Sequence, residues 1–305
     1  MECLVCKKNE NIRIIDDYKL EVKEDKKFFR EMKIAHCDKC EFSFANPMPK
    51  LEILNEFYEK VYRSANRPPY WVPENTKDLD TNPLEDKNLN YLVYLTTFID
   101  FRKIKKIFDF GSGYGNLGYL LKKKFPNLEL YCSENDKVSK EILKERGYTN
   151  FEDLGLINTK FDLIISLHSL EHLTNLSIFS KFENILNEKG IIFFEVPNCP
   201  SEYFEGRPYD SPHLLFFTKK TFEIIAEKNN FQIENFCYSS YSFENDHRFQ
   251  KESQDLYEKL NNGLFNFYKL KKMIKKITPN FLIKLKNNFT VLKELKNFNR
   301  IDWFA

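Results

Sequence analysis

Residues 106–118, KIFDFGSGYGNLG, constrain this chain more than any other stretch. Ile107, Phe108 and Phe110 read as the apolar part of a short buried strand. Glycines follow at 111, 113, 115 and 118, and Leu117, Leu120 and Leu121 then fall at helical spacing. The whole chain holds nine glycines in 305 residues, so four within this turn reflect a local backbone requirement and not a compositional habit. A strand, a glycine turn and a helix, in that order, present bare backbone N–H groups and a helix N-terminus to a bound ligand.

Two cofactor patterns fit these glycines. Gly113-x-Gly115-x-x-Gly118 has dinucleotide-binding spacing, a weak signal when it stands alone. Asp109-x-Gly111-x-Gly113-x-Gly115 instead sets a carboxylate inside the strand end, ahead of the turn. The pattern beyond is α/β. Strands at 107–110, 128–133, 161–166, 191–196 and 231–238 alternate with helices at 114–125, 137–146, 175–186 and 219–228, which predicts a Rossmann-like, mostly parallel sheet. Glu134 ends the second strand about 20 residues beyond the glycine turn, where an acid accepts hydrogen bonds from ribose hydroxyls. Asp153 lies where the third strand should deliver adenine contacts. His168 stands nearest the end of strand 161–166.

The N-terminus carries a second signal. Cys3-x-x-Cys6 and Cys37-x-x-Cys40 are two knuckles able to place four thiolates tetrahedrally about one Zn2+. All four positions are closed by protein, so the expected site is structural. A segment of this size has little core, and the metal would supply much of its folding energy.

The Asp109-to-Gly115 turn, together with the strand FDLIIS and the Leu170-Glu171-His172 that follows it, resembles class I S-adenosylmethionine-dependent methyltransferases. The resemblance implies seven strands, S-adenosylmethionine held by Asp109, Gly111, Gly113, Gly115, Glu134 and Asp153, and His168 beside the donor or acceptor. The knuckles, the Asn46-Pro47-x-Pro49 step, the stripe Leu51, Leu54, Phe57, Tyr58 and Val61, and Tyr62-Arg63-Ser64 are together similar to the zinc-binding module of bacterial sugar and surface-glycan methyltransferases. That likeness implies that Tyr62 and Ser64 face the cofactor or acceptor. It also implies that His213, ahead of Leu-Leu-Phe-Phe-Thr, acts as base or acceptor ligand. Members that methylate carbon carry a glutamate just before this histidine. Here the position is Pro212, which favours O- or N-methylation, because carbon gives up its proton less readily. The implied acceptor is a nucleotide-linked sugar or glycan component.

Three other classes stay open at this point. An rRNA or tRNA methyltransferase can also carry an N-terminal four-cysteine site, but SLHSLEH lacks the expected Asn-Pro-Pro-Tyr or cysteine signature and the N-terminal region is not notably basic. No nucleic-acid partner is therefore expected. An NAD-dependent oxidoreductase and a non-catalytic cofactor-binding scaffold are the others. The expected organisation is a zinc module at 1–48, a helix, Pro-rich lid and second helix at 49–103, the cofactor-binding domain at 104–240, and a helical extension at 241–305 that closes with a strand at 301–304. Lysines interleaved with apolar residues after position 264 suggest two basic amphipathic helices, suited to a homodimer contact, a lid or peripheral membrane contact. A 42% hydrophobic content supports a real core. No apolar run reaches ~18 residues. Seven cysteines without an apolar leader fit a cytoplasmic protein better than a disulfide-bonded one.

Overall fold

The computed structural model describes residues 1–20, 23–62, 86–205, 212–236 and 238. In chain order the elements are β1 (Ile12–Asp17), β2 (Lys33–Cys37), β3 (Phe42–Asn46), α1 (Leu51–Lys60), α2 (Asp86–Phe98), β4 (Lys106–Phe110), α3 (Asn116–Lys124), β5 (Glu129–Ser133), α4 (Lys137–Glu145), β6 (Tyr148–Asn150), β7 (Phe161–Leu167), α5 (Ser177–Ile185), β8 (Leu186–Glu195), β9 (Leu215–Phe216) and α6 (Lys219–Lys228). The chain forms two compact units, Met1–Tyr238 and Ser239–Ala305. The described residues all belong to the first. The Pro-rich segment 63–85 with Ser64, the basic helices and the strand expected at 301–304 lie outside the described residues.

The central sheet is parallel, in the order β6-β5-β4-β7-β8. Its middle strand β4 pairs Asp109 with Cys132 on one side and with Ile165 on the other. Strands buried on both faces should read as continuous apolar runs. They do: Ile107, Phe108, Leu163, Ile164 and Ile165 are fully buried. The glycine turn and the ends of β5, β7 and β8 therefore open at one carboxyl edge, beside the switch in strand order where ligands bind in such sheets.

The strand count corrects the expectation. Five parallel strands stand where seven were expected, and among the described residues nothing pairs beyond β8. The strand expected at 231–238 is irregular over its described part. Its apolar alternation is only partly buried: Phe231 packs against the core, whereas Ile233 is 42% exposed. Among the described residues no strand pairs with it, so the run has no ladder to hold it extended.

A second sheet, β1-β2-β3-β9, is antiparallel. Three of its strands come from the cysteine-bearing segment, and the fourth comes from 170 residues further on. The knuckle region is thus built into the larger unit. Phe42 meets Phe217 at 5.6 Å between ring centroids, and Phe217 stacks on Phe222 at 4.8 Å. The Thr221 hydroxyl donates to the Cys40 carbonyl at 3.1 Å, and Lys228 donates to that of Val5 at 2.6 Å. The same Thr221 closes a capping box with Thr218 at the start of α6.

Candidate functional site

The glycine turn is the floor of the site. Gly111, Gly113 and Gly115 take φ of 66°, 54° and 65°. Only glycine adopts three left-handed angles so close together at low cost. At Gly111 a β-carbon would also stand 2.2 Å from Ser169 Oγ. That hydroxyl donates to the Gly111 carbonyl at 3.1 Å and so ties the loop after β7 to the turn.

Two acids flank the turn. Asp109, 5% exposed, sits in β4 before it. Burial, helped by the charge of Glu134, pushes its carboxyl from 3.8 up to about 7. Glu134, after β5, accepts from Gly113 N at 2.8 Å and from the backbone N–H groups of Asn135 and Asp136 at 2.9 and 3.0 Å. A carboxylate offers about four lone-pair directions, so Glu134 keeps capacity for a further donor. Asn150 receives the Glu134 N–H at 2.9 Å and fixes the strand end. Asp153 is exposed and accepts from Gly155 N at 2.7 Å, capping its own short turn.

Beyond β7 the chain brings His168, Glu171, His172 and His213 together. His168 holds φ 51°, a left-handed angle that costs a histidine about 1 kcal/mol. Its Nε2 lies 2.9 Å from Glu195 Oε1 and its Nδ1 lies 3.3 Å from Glu171 Oε1. Tyr91 donates to the same Glu195 oxygen at 2.7 Å. Glu171, 1% exposed, begins a short turn with His172. Burial raises its pKa, but the neighbouring His168, His172 and His213 outweigh that and hold it below its ordinary value. His213 reaches this place from just ahead of β9. Leu214 N donates to the Glu171 carbonyl at 2.7 Å, and Tyr18 of the N-terminal sheet region donates to the His213 carbonyl at 2.6 Å. The His172 and His213 rings stand 4.9 Å apart. Tyr62 closes one side, 6.2 Å from the His172 ring and 5.0 Å from that of Tyr58.

Sequence reasoning missed Glu195, the partner of His168. The only available sign was an acid at the end of an otherwise apolar strand.

The four cysteine sulfurs converge. Cys3 Sγ lies 4.0 Å from Cys40 Sγ, and Cys6 Sγ lies 3.8 Å from Cys37 Sγ. One ligand atom from each falls within 4.8 Å of the others. Tetrahedral zinc–thiolate bonds of about 2.3 Å require sulfurs about 3.8 Å apart, so the set fits the ion. Burial pushes the Cys3 thiol up to about 12 and raises that of Cys40 as well. Thiolates at this place therefore need a cation beside them.

Residues 86–235 match the family model for a methyltransferase domain. The matched stretch contains the glycine turn and both of its acids. No curated protein matches the chain. Among solved structures it is similar to PigF with SAH, at 15% identity and TM-score 0.39 over 51% of this chain and 54% of that one. It is similar too to the O-methyltransferase of a trans-AT PKS multienzyme of Brevibacillus brevis in complex with S-adenosyl-L-homocysteine, at 16% identity and TM-score 0.40 over 63% and 74%. A third is coclaurine N-methyltransferase bound to N-methylheliamine and SAH, at 16% identity and TM-score 0.39 over 56% of each chain. The chain spans about half the length of the first of these, 54%. Among the described residues no helix is long and apolar enough to cross a membrane.

Proposed function

We propose that this enzyme methylates an oxygen or nitrogen of a nucleotide-linked sugar or surface-glycan component. The observation that carries the methyl-donor half is the pair of acids at adjacent strand ends around the glycine turn. Asp109 is buried and held half-protonated near neutrality with Glu134 close by. A ligand bearing positive charge relieves that arrangement, whereas a pyrophosphate worsens it. Bound there, S-adenosylmethionine supplies an electrophilic sulfonium methyl group.

The chain's own residues do the rest. Glu134 accepts from the ribose hydroxyls. Asp109 orients the cationic end, and the backbone of Gly111, Gly113 and Gly115 admits the ligand closely. Asp153 serves the adenine edge. Tyr62 and His168 line the donor's reactive end, and His213 and His168 are the acceptor-side histidines, one of which takes the acceptor proton. Most of the rate comes from holding the reacting atoms in line and near contact. The Cys3, Cys6, Cys37 and Cys40 site holds structural Zn2+, and Tyr18 positions His213. The acceptor class rests on the likeness of the zinc module, the Asn-Pro-x-Pro step and the His213 stretch to sugar methyltransferases. The same reading places the enzyme in the cytoplasm.

A panel of nucleotide-sugars offered with isotope-labelled S-adenosylmethionine, read by mass spectrometry, tests it. A labelled product from one sugar class supports the reading. Methylation of RNA with none of the sugars overturns the acceptor assignment.

A further inference from the structure

Glu171 poses a problem that the roles above do not solve. It is 1% exposed, and both of its carboxylate oxygens are without a hydrogen bond. The approach of His168 Nδ1 at 3.3 Å is an ion-pair contact without hydrogen-bond geometry. A buried carboxylate left without donors is costly unless a cation accompanies it. His172 Nδ1 is also buried without a partner. One ligand atom each from Glu171, His172 and His213 lies within 4.8 Å of the others.

We infer that Glu171, His172 and His213 form a second divalent-metal site, distinct from the four thiolates, that takes a hydroxyl of the acceptor in an open position. Two imidazoles and one carboxylate suit a first-row divalent cation, and three protein ligands leave room for substrate. Bonds of about 2.0–2.2 Å need ligand atoms roughly 3–3.5 Å apart, which atoms within 4.8 Å of one another reach by small side-chain adjustments. The scaffold around it is fixed: the Leu214 N–H holds the Glu171 carbonyl, Tyr18 holds that of His213, and Ser169 ties the turn to Gly111. That last tie sets the cluster at the donor's edge of the sheet.

The inference rests on the methyltransferase reading for its chemistry. The ion lowers the pKa of a bound hydroxyl. The hydroxyl proton passes to His168, which Glu195 steadies. The oxygen then takes the methyl group, forming a carbon–oxygen bond, while the carbon–sulfur electron pair stays on sulfur. His213 accordingly ligates, and His168 is the base.

Cobalt(II) titrated into the full, zinc-filled chain is the test, because its spectrum separates the two sites. Imidazole and carboxylate ligation gives visible d–d bands, whereas entry into the cysteine site adds thiolate-to-metal charge transfer. The expected result is d–d bands saturating at one ion per chain without charge transfer. Glu171→Gln and His213→Ala should each weaken this binding at least tenfold, with zinc content and melting curve showing that the chain still folds. S-adenosylhomocysteine binding, measured on the same samples, is expected to persist. Absence of the d–d bands in the wild type, or bands unchanged in both variants, overturns the metal site. Cobalt binding that the two variants abolish supports it even if the adenosyl ligand fails to bind, an outcome that would overturn only the methyl-transfer reading.

Discussion

Replacing Asp109 with asparagine should abolish the pH dependence of stability that this one residue imposes. In the folded chain its carboxyl titrates at about 7, against 3.8 when freely solvated, because it is buried and faces Glu134. The unfolded chain therefore loses this proton first, and the wild type is progressively destabilised as pH rises from about 4 to about 7. Carried over that interval, the displacement corresponds to at most about 4 kcal/mol. Roughly 2–3 kcal/mol of it falls between pH 5 and pH 8. Asparagine has a similar shape and no charge, so the variant lacks this penalty. At about 2–4 °C per kcal/mol, the ligand-free variant should gain some 5–10 °C on the wild type between the two pH values. Thermal melts followed by circular dichroism at pH 5 and pH 8, without cofactor, measure it. Equal pH slopes in the two proteins would refute the reasoning. The same carboxylate should make S-adenosylmethionine bind more tightly at pH 8 than at pH 6, with a proton released on binding at the lower pH.

Glu134→Ala should weaken S-adenosylhomocysteine binding at least tenfold, since charge-assisted hydrogen bonds to the ribose are lost along with the brace on Gly113; calorimetry with unchanged affinity would remove Glu134 from the site. Gly118→Ala places a β-carbon 2.0 Å from the Tyr148 hydroxyl, which is itself held by the Gly115 carbonyl at 2.9 Å. That crowding should cost about 1–3 kcal/mol in urea unfolding, and adding Tyr148→Phe should recover part of it; a double variant no more stable than the single one would argue for another cause. Chelation at neutral pH should remove one zinc per chain and expose the knuckle backbone to proteolysis within residues 1–48, with the first cleavages seen by mass spectrometry near Cys3–Cys40. Cleavage unaffected by chelation would speak against a structural ion.

The parts of the site legible in the sequence were those written locally. Asp109, the glycines and Glu134 lie on one strand–turn–helix–strand run, and short-range spacing alone constrains their positions. The cysteine knuckles carry their geometry in the same way, through two short pairs. What local spacing does not encode is which distant segments meet. The pairing of Leu215–Phe216 with β3 joins segments about 170 residues apart, and no periodicity announces it. For the same reason Glu195 is invisible in the sequence as the partner of His168. The run 231–236 misled in the opposite direction. Its alternating apolar residues resemble a strand, yet alternation specifies a strand only where a neighbouring edge exists to receive it.

The central claim is that the glycine turn and its two acids hold S-adenosylmethionine. Isothermal titration of the zinc-loaded chain with S-adenosylmethionine, S-adenosylhomocysteine and NAD in parallel tests it most directly. The account predicts one adenosyl ligand per chain for the first two and no heat from NAD. Saturable NAD binding with neither sulfur compound bound would contradict it.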